Sequence, residues 1–301
     1  MGRAEYVEVR VKAALNRVEG MPFRWSLNPY RGCRHGCGYC YARITHTYYD
    51  LDLAADFERV IFVKVNLPEV LRAELSRPGW KRELVAIGTA TDPYQPVEAR
   101  YRVTRRCLEV FARRANPLSL TTKGTLVVRD IDLFQELTRA ADFAVNISLI
   151  SLRPEVWRRL EPHTPAPASR LRAVERLASA GIRVNVFVAP ILPGLTDRPE
   201  DLGAVIRAAA DHGAAGVYPG VLRLGPGIKE FFLEQVGRQF PGLRPYYQAL
   251  YAGGPNPPPS YRREVAARVE ALAARVSFKT LPPRPAPLGC QLPLPLEVGR
   301  L

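Results

Sequence analysis

The sequence lacks a long apolar stretch and the apolar core of a secretory leader. A membrane-spanning helix requires about 18 or more consecutive apolar residues. The best apolar run here, at 184–195, is short and contains prolines. Residues 1–6 do not show the apolar pattern of a signal peptide. We therefore expect a cytoplasmic protein that has no membrane partner.

Cysteine is scarce, with five residues in a chain of 301. A chain of this length buries a sizeable core, so a small scaffold that depends on disulfides is excluded. Three of the five fall close together, at Cys33, Cys37 and Cys40, whereas Cys107 and Cys290 stand alone. In a reducing compartment a tight group of thiols indicates metal binding or redox chemistry. Cys107, on a predicted helix, is by default a small buried apolar side chain.

Acidic residues are outnumbered, because 29 Asp and Glu face 43 Lys and Arg and leave a net charge of +14. Such an excess favours polyanions, so DNA or RNA is an expected partner. The charge is spread along the chain, and base composition or heat adaptation is the alternative origin. The arginines that could contact phosphate, or else form a solvated helix face, are Arg102, Arg105, Arg106, Arg113, Arg114, Arg158 and Arg159. Tyr246, Tyr247 and Tyr251 could stack on bases or cap the fold.

The sequence also lacks a glycine-rich phosphate turn, which argues against a flat, doubly wound sheet. From Phe23 onward, apolar runs alternate with segments of helical periodicity, a pattern typical of βαβ units and a parallel sheet. Beyond a first strand near residue 23, the predicted strands are 59–65, 84–89, 118–122, 144–149, 184–188 and 217–222. The predicted helices are 68–76, 102–114, 131–140, 169–180 and 201–212. The predicted α/β fold is a partial or complete parallel (β/α) barrel, with six strands as the expected number.

Composition divides the chain into three parts. An N-terminal arm at 1–22 is polar and expected to be irregular, and the barrel core is placed at 23–224. The extension at 225–301 is helical and proline-rich, with predicted helices at 228–240 and 261–276 and a proline-dense tail.

The cysteine triplet lies in the loop that follows the first predicted strand. Thiolates are the usual protein ligands of a [4Fe–4S] cluster. Three cysteines would hold three of its four irons and leave the fourth open to bind another molecule. Gly32, Gly36 and Gly38 permit the backbone conformations that such a tight wrap requires.

Structural zinc is the alternative for the same loop. Structural zinc sites have four closed ligands, and His35 and His46 are nearby candidates for the fourth. A fourth cysteine would favour zinc, and its absence favours a cluster with an open iron.

The spacing Cys33-x-x-x-Cys37-x-x-Cys40, with Tyr39 before the third cysteine, resembles the signature of radical S-adenosylmethionine (SAM) enzymes. The flanks 28–33 and 39–43, with 91–98, 160–165, 170–171 and 188–197, are similar to the branch related to spore photoproduct lyase. The resemblance spans roughly residues 23–224. It implies a [4Fe–4S] cluster that binds SAM, and an external one-electron donor. It also implies cleavage of SAM to a 5′-deoxyadenosyl radical that abstracts hydrogen from the substrate.

The resemblance also assigns SAM-binding roles to residues at the strand ends. It places Tyr39, Ile191 and Gly194 near the adenine. Arg170 is assigned to the carboxylate, which a guanidinium matches with two hydrogen bonds; its alternative is a surface residue in the first turn of a helix. The other implied contacts are Thr89, Thr91 and Asp92 for the methionine amino group, Thr121 and Lys123 for ribose or the carboxylate, and Ser148 on the fourth strand. Strand-forming threonines and ordinary turns are the alternatives at those positions.

Two departures from the family pattern bear on the SAM contacts at 88–92 and on the substrate, respectively. The glycine-glycine-glutamate-proline form is missing at 88–92, and the segment 85–92 lacks the cysteine that spore photoproduct lyases carry there. We therefore predict a related radical SAM enzyme of lyase or oxidoreductase type. Its substrate is left unassigned, and nucleic acid is the leading candidate. The alternative is a non-catalytic zinc or iron–sulfur protein that binds nucleic acid.

Overall fold

The structure is a computed structural model that describes residues 4–280. Its strands are β1 (Glu5–Val9), β2 (Asn16–Arg17), β3 (Trp25–Leu27), β4 (Tyr30–Arg31), β5 (Val60–Lys64), β6 (Val85–Ile87), β7 (Leu118–Thr122), β8 (Phe143–Ser148), β9 (Val184–Ile191) and β10 (Gly216–Val221). Its α-helices are α1 (Asp56–Arg59), α2 (Leu67–Leu75), α3 (Glu98–Tyr101), α4 (Val103–Arg114), α5 (Ile131–Ala140), α6 (Pro154–Leu160), α7 (Pro167–Ser179), α8 (Pro199–Asp211), α9 (Ile228–Gln239), α10 (Arg244–Leu250) and α11 (Pro259–Ala273). The 3₁₀ helices lie at Tyr41–Tyr49, Thr125–Asp130 and Pro241–Leu243. Cys290 and the proline-dense tail lie outside the described residues.

The main sheet contains the six parallel strands of the predicted fold. Their order is β10-β9-β8-β7-β6-β3, and β2 pairs antiparallel with β3 at one edge. Val85 pairs with Leu118, and Leu118 with Phe143, so the register runs evenly across the centre. Helices connect successive strands from β6 onward, which confirms the predicted α/β class. Because β10 and β2 occupy the two edges, the sheet is open within residues 4–280.

The segment predicted as a strand at 59–65 forms β5, but β5 does not join the main sheet. It pairs with β1 and β4 in a separate three-stranded sheet. The hydrophobic alternation of this segment predicts a strand without specifying its partner. The other predicted strands and helices of the core agree with the observed bounds to within three residues.

The N-terminal segment is ordered, and its expected irregularity is wrong for residues 5–9 and 16–17. All five residues of β1 pair with β5, and β2 pairs with β3. The side chain of Asn66 bonds the backbone N–H and C=O of Val11 at 2.8 and 2.9 Å. Glu74 accepts hydrogen bonds from the N–H groups of Ala14 and Leu15. These partners are about 50 or more positions away, where local sequence patterns give no signal.

The two faces of the main sheet differ in polarity, because successive side chains of a strand point to opposite sides. One face packs against the helices, with fully buried Leu120, Ile147 and Val186 in the main core. On the other face, Asn146 of β8 donates to Ser119 of β7, and Asn185 of β9 donates to Asn146, each at 2.9 Å. This row of polar side chains lines the inner side of the fold.

The C-terminal helices α9 and α10 cover the end of the fold that carries the cysteines. Phe232, Tyr247 and Tyr251 are fully buried and share a hydrophobic cluster with Cys37 and Tyr39. Burial therefore excludes base stacking by Tyr247 and Tyr251, and the capping alternative is observed. No helix within residues 4–280 is long and apolar enough to cross a membrane.

Candidate active site at the strand ends

The candidate site lies where the parallel strands end. Carboxyl ends of parallel strands meet at one edge of a sheet, so the loops that follow them lie together. The loop after β3 and β4 carries the three cysteines and Tyr39. The other predicted residues lie near the ends of β7, β8 and β9 or in the loops after β6, β7 and β9, except Arg170, which lies in the first turn of α7.

The cysteine loop is held close to β5. Cys33 donates its backbone N–H to the carbonyl of Phe57 at 3.0 Å. Gly32 has a positive φ of 81°, and a Cβ there would lie 2.7 Å from the carbonyl oxygen of Val60. Only glycine fits this position without strain. Cys33 and Cys37 are buried, Cys40 is half-buried, and all three are free thiols.

Burial keeps two of these thiols protonated. Burial raises the pKa of Cys37 to about 12, although the nearby Lys123 opposes the rise. Burial also raises the pKa of Cys33 well above its usual value, and Asp92 and the other two cysteines raise it further. A metal centre that binds here must therefore displace protons and supply compensating positive charge.

The donor set does not fit a single zinc ion. Within residues 4–280, no three Cys, His, Asp or Glu side chains are close enough to share one metal ion. His46 is fully buried and its Nε2 lies 3.0 Å from the carbonyl of Val60, while His35 Nδ1 lies 3.2 Å from the carboxylate of Asp92. In a [4Fe–4S] cluster each thiolate ligates a different iron, so three cysteines on one loop suit the cluster without sharing one ion.

The loop after β6 fastens the cysteine loop. Thr91 Oγ1 and Gln95 Nε2 both donate to the carbonyl of Gly32, at 2.7 and 2.9 Å. Gln95 Oε1 accepts the backbone N–H of Arg34 at 2.9 Å. Asn28 Nδ2 donates to Thr89 Oγ1 at 3.0 Å. Thr91 thus contacts the cysteine loop, and Thr89 is half-buried beside it.

Asp92, predicted to face the amino group of SAM, joins three loops. It accepts hydrogen bonds from Thr122 Oγ1 at 2.5 Å and from the N–H of Lys123 at 2.7 Å. It also accepts the N–H of Tyr94 at 2.8 Å and lies against His35. Burial opposes ionisation of Asp92, but His35 and these donors outweigh burial and lower its pKa far below the usual value.

A buried group of charges lies beside the cysteine loop. Glu161 accepts hydrogen bonds from the hydroxyl of Tyr39 and from Arg170, and Lys123 Nζ lies 3.9 Å from it. Arg170 also donates to the carbonyl of Ser148 at 3.0 Å. Burial opposes ionisation of Glu161, but Arg170 and Lys123 outweigh burial and lower its pKa.

Arg170 is therefore brought to the predicted site with its N–H groups already engaged. Besides Glu161 and Ser148, they donate to the carbonyl of Pro165 and to Thr164 Oγ1, at 2.9 and 2.6 Å. The side chain is fully buried, so the surface alternative is wrong.

The remaining predicted residues lie at the same edge with different exposure. Thr121 is half-buried on β7 and accepts a hydrogen bond from Asn146. Ser148 is buried and donates to the carbonyl of Ala189 at 3.0 Å. Ile191 is fully buried in the main core, and Gly194 lies beneath Leu243 and Tyr246 of the extension, with φ +73°.

Sequence reasoning assigned no role to two contributors, Gln95 and Arg43, and it left Glu161 undecided between an ion pair with an arginine and a role at the site. Gln95 is fully buried between two loops, and Glu161 is the centre of the charge group. Arg43 is fully buried, donates to the carbonyl of Cys37 at 3.1 Å and lies over the ring of Phe231 at 4.6 Å. All three fall inside the motif flanks, which is the signal that could have marked them.

Comparisons with known proteins agree with this geometry. A model of the Radical SAM superfamily matches residues 27–206. An uncharacterized protein of Mycobacterium tuberculosis is 42% identical over 271 residues, which covers 89% of this chain and 80% of that protein. The structure of spore photoproduct lyase complexed with dinucleoside spore photoproduct superposes with a TM-score of 0.70 at 15% identity, covering 90% of this chain and 79% of that one. A mutant of the same enzyme with bound AdoMet and the dinucleoside superposes with a TM-score of 0.68 at 16% identity, covering 90% and 78%.

Proposed function

Because the chain belongs to the radical SAM superfamily and is an enzyme of that type, we propose that Cys33, Cys37 and Cys40 hold a [4Fe–4S] cluster with one iron open for SAM. When bound, the reduced cluster supplies the electron that cleaves SAM to methionine and a 5′-deoxyadenosyl radical, which takes hydrogen from the substrate. The observation that carries the proposal is the set of three free thiols on one short loop, fastened from two sides at the strand ends.

Lys123 is the residue best placed to meet the carboxylate of SAM. Burial opposes its charge, but Cys37 and Glu161 outweigh burial and raise its pKa, so the ammonium stays protonated. Its Nζ lies 5.7 Å from the centre of the Tyr39 ring. Within residues 4–280, four of the five N–H donors of Arg170 are engaged, so we assign it as a positioning residue that acts through Glu161 and the carbonyl of Ser148.

The other predicted residues fall into two groups: those that we expect to contact SAM, and those that hold the surrounding loops and side chains in place. Thr89 and Thr121 are half-buried and keep open surface at the strand ends, so we assign them to the methionine and ribose groups. Thr91 and Asp92 support the loops through their hydrogen bonds. Tyr39 is oriented by Glu161, and Ser148, Ile191 and Gly194 shape the floor of the site.

The substrate that best fits the site is polar and anionic. The inner face of the sheet is polar, because it carries Asn146, Asn185 and Ser119, whose side chains are hydrogen-bonded to one another. The net charge of +14 favours nucleic acid. The spore photoproduct lyase structure that shares this fold holds a dinucleoside. The proposed radical SAM chemistry also requires an external one-electron donor.

The test is reductive cleavage of SAM by anaerobically reconstituted protein. We expect about four irons per chain and release of 5′-deoxyadenosine on reduction. Cys37→Ala should abolish both, whereas Cys107→Ala, which removes a buried thiol outside the site, should retain both. Colourless protein with one zinc, or full activity in Cys37→Ala, would overturn the assignment and support the non-catalytic alternative.

A further inference from the structure

A cavity outside the cysteine site is lined mainly by arginine. It has a volume of about 680 Å³ and lies at the corner where α3 meets α4. Its lining residues are Arg100, Tyr101, Arg102, Arg105, Arg106 and Glu109. Four guanidinium groups face one carboxylate, which is an unusual concentration of positive charge in a concave surface.

Two of the four arginines have no acidic partner. Arg100 and Arg102 are exposed, and neither forms an ion pair within residues 4–280. The Arg100 guanidinium lies 5.0 Å from the centre of the Tyr101 ring. Their charge is therefore available to a ligand.

Arg106 adds an unused donor. One of its terminal nitrogens donates to the carbonyl of Val65 at 3.1 Å, and the other lies 3.9 Å from Glu69. Its Nε is buried and has no hydrogen-bond partner in the described part of the chain.

The fourth arginine, Arg105, lines the cavity but is held by ion pairs within the protein. It pairs with Asp130 at 2.7 Å and with Asp132 at 2.6 Å, so its charge is already compensated. Testing the cavity through Arg105 would therefore disturb the structure, whereas Arg100 and Arg102 can be changed without breaking an internal ion pair.

The corner is rigid and tied to the cysteine segment. The carboxylate of Glu98 accepts the N–H groups of Thr104 and Arg105 at 2.8 and 3.2 Å, and also the hydroxyl of Tyr30. Tyr30 precedes Cys33 by three residues. Arg102 has a φ of 52°, a left-handed conformation that costs about 1 kcal/mol or more for a residue with a Cβ.

We propose that this cavity binds backbone phosphate of a nucleic acid substrate and so orients the strand relative to the cysteine site. The inference rests on the proposed function for the presence of such a substrate. Guanidinium groups match phosphate oxygens with paired hydrogen bonds. The cavity opens at the surface, which suits a phosphate within a long strand, and Tyr101 offers an aromatic ring beside it.

The test compares two double variants that remove the same charge. Arg100→Gln/Arg102→Gln empties the cavity of its uncompensated charge. Arg139→Gln/Arg176→Gln removes two exposed arginines in the last turns of α5 and α7, neither of which lines the cavity. The probe is a fluorescein-labelled single-stranded oligonucleotide, and binding is followed by anisotropy across a range of salt concentrations.

We expect the cavity variant to bind about tenfold more weakly. Its plot of log affinity against log salt should be less steep by about 1.4 units, since two phosphate contacts are lost and each contributes about 0.7 on a single strand. The control variant should change affinity by less than about twofold. Equal weakening of both variants, or no change in either, would overturn the proposal. So would competition by polyglutamate as effective as that of unlabelled oligonucleotide, because the site would then bind any polyanion.

The binding assay is independent of cofactor chemistry, so the two proposals fail separately. Cleavage of SAM without nucleic acid should be equal in wild type and in both variants. Loss of SAM cleavage in all three proteins would contradict the proposed function while the binding comparison still decides the phosphate site.

Discussion

At the scale of single residues, Glu161 determines how charge is arranged beside the cysteines. It is buried with Arg170, and both side chains are about 1% exposed. Glu161→Gln removes the carboxylate and leaves Arg170 buried without a counter-charge. We expect a loss of about 3–5 kcal/mol in the free energy of unfolding, measured by urea denaturation. The control is Glu155→Gln, which breaks the exposed pair with Arg153 and should cost less than about 1 kcal/mol.

The low pKa of Asp92 leads to a separate prediction about the stability of the fold at acid pH. Its pKa is lowered in the folded chain, because His35 and its hydrogen-bond donors outweigh the effect of burial. A carboxylate of this kind stabilises the fold above its unfolded pKa, which is about 3.9 for Asp, and this contribution is lost as the pH falls toward the folded value. The free energy of unfolding should therefore fall between about pH 5 and pH 2. The fall should be smaller in Asp92→Asn.

The cluster-free chain is the sample for that measurement, since acid also removes iron from a cluster. Equal pH dependence in wild type and Asp92→Asn would contradict the assignment of the low pKa. A lower stability of Asp92→Asn at pH 7 is expected in either case, because four contacts to the carboxylate change at once.

At the scale of elements, the cysteine loop depends on a glycine. Gly32→Ala would place a Cβ 2.7 Å from the carbonyl of Val60 at a φ of +81°. Neither atom can move without shifting β5 or the loop, so we expect a drop in bound iron after reconstitution and a loss of about 2 kcal/mol or more in stability. Gly79→Ala is the matched control, because nothing lies within 4 Å of the added Cβ. Iron content equal in the two variants would contradict this account.

Local sequence patterns predicted the repeated elements of the main sheet and the cysteine triplet. Helix 131–140 was predicted with its observed bounds, because its apolar spacing is clear. The triplet was recognisable because its residue types and spacing are specific to the chemistry. That the three cysteines bind a cluster stays a prediction.

What the sequence could not predict is pairing between distant segments. β1 and β5 are more than 50 residues apart, and β5 has the same pattern whether it joins the main sheet or a smaller one. The contacts of single side chains are equally hard to predict. The sequence is consistent with Arg170 binding either the carboxylate of SAM or a carboxylate of the protein, and the structure shows that it binds Glu161. The hydrogen bonds of Gln95 also join loops from different strands.

At the scale of the whole molecule, the extension closes the end of the fold that the cysteines occupy. The sheet is open at both edges, so it does not by itself enclose the site. Helices α9 and α10 supply Phe232, Val236 and Tyr247 to the cluster that contains Cys37 and Tyr39. The proposed iron–sulfur cluster would react with oxygen at its open iron, and among residues 4–280 we expect α9 and α10 to limit access from that side.

Whether α9 and α10 shield the cysteines can be tested with two phenylalanines that are equally buried but lie in different parts of the fold. Phe232 lies in α9 and Phe134 in the main core, and both are fully buried. Either change to Ala should cost about 3–5 kcal/mol, because each removes a ring and leaves a cavity. In Phe232→Ala alone, the visible absorption of the reconstituted cluster should decay several-fold faster in air, since the new cavity lies beside Cys37. Equal decay rates at temperatures where both variants remain folded would show that the extension stabilises the fold without shielding the site.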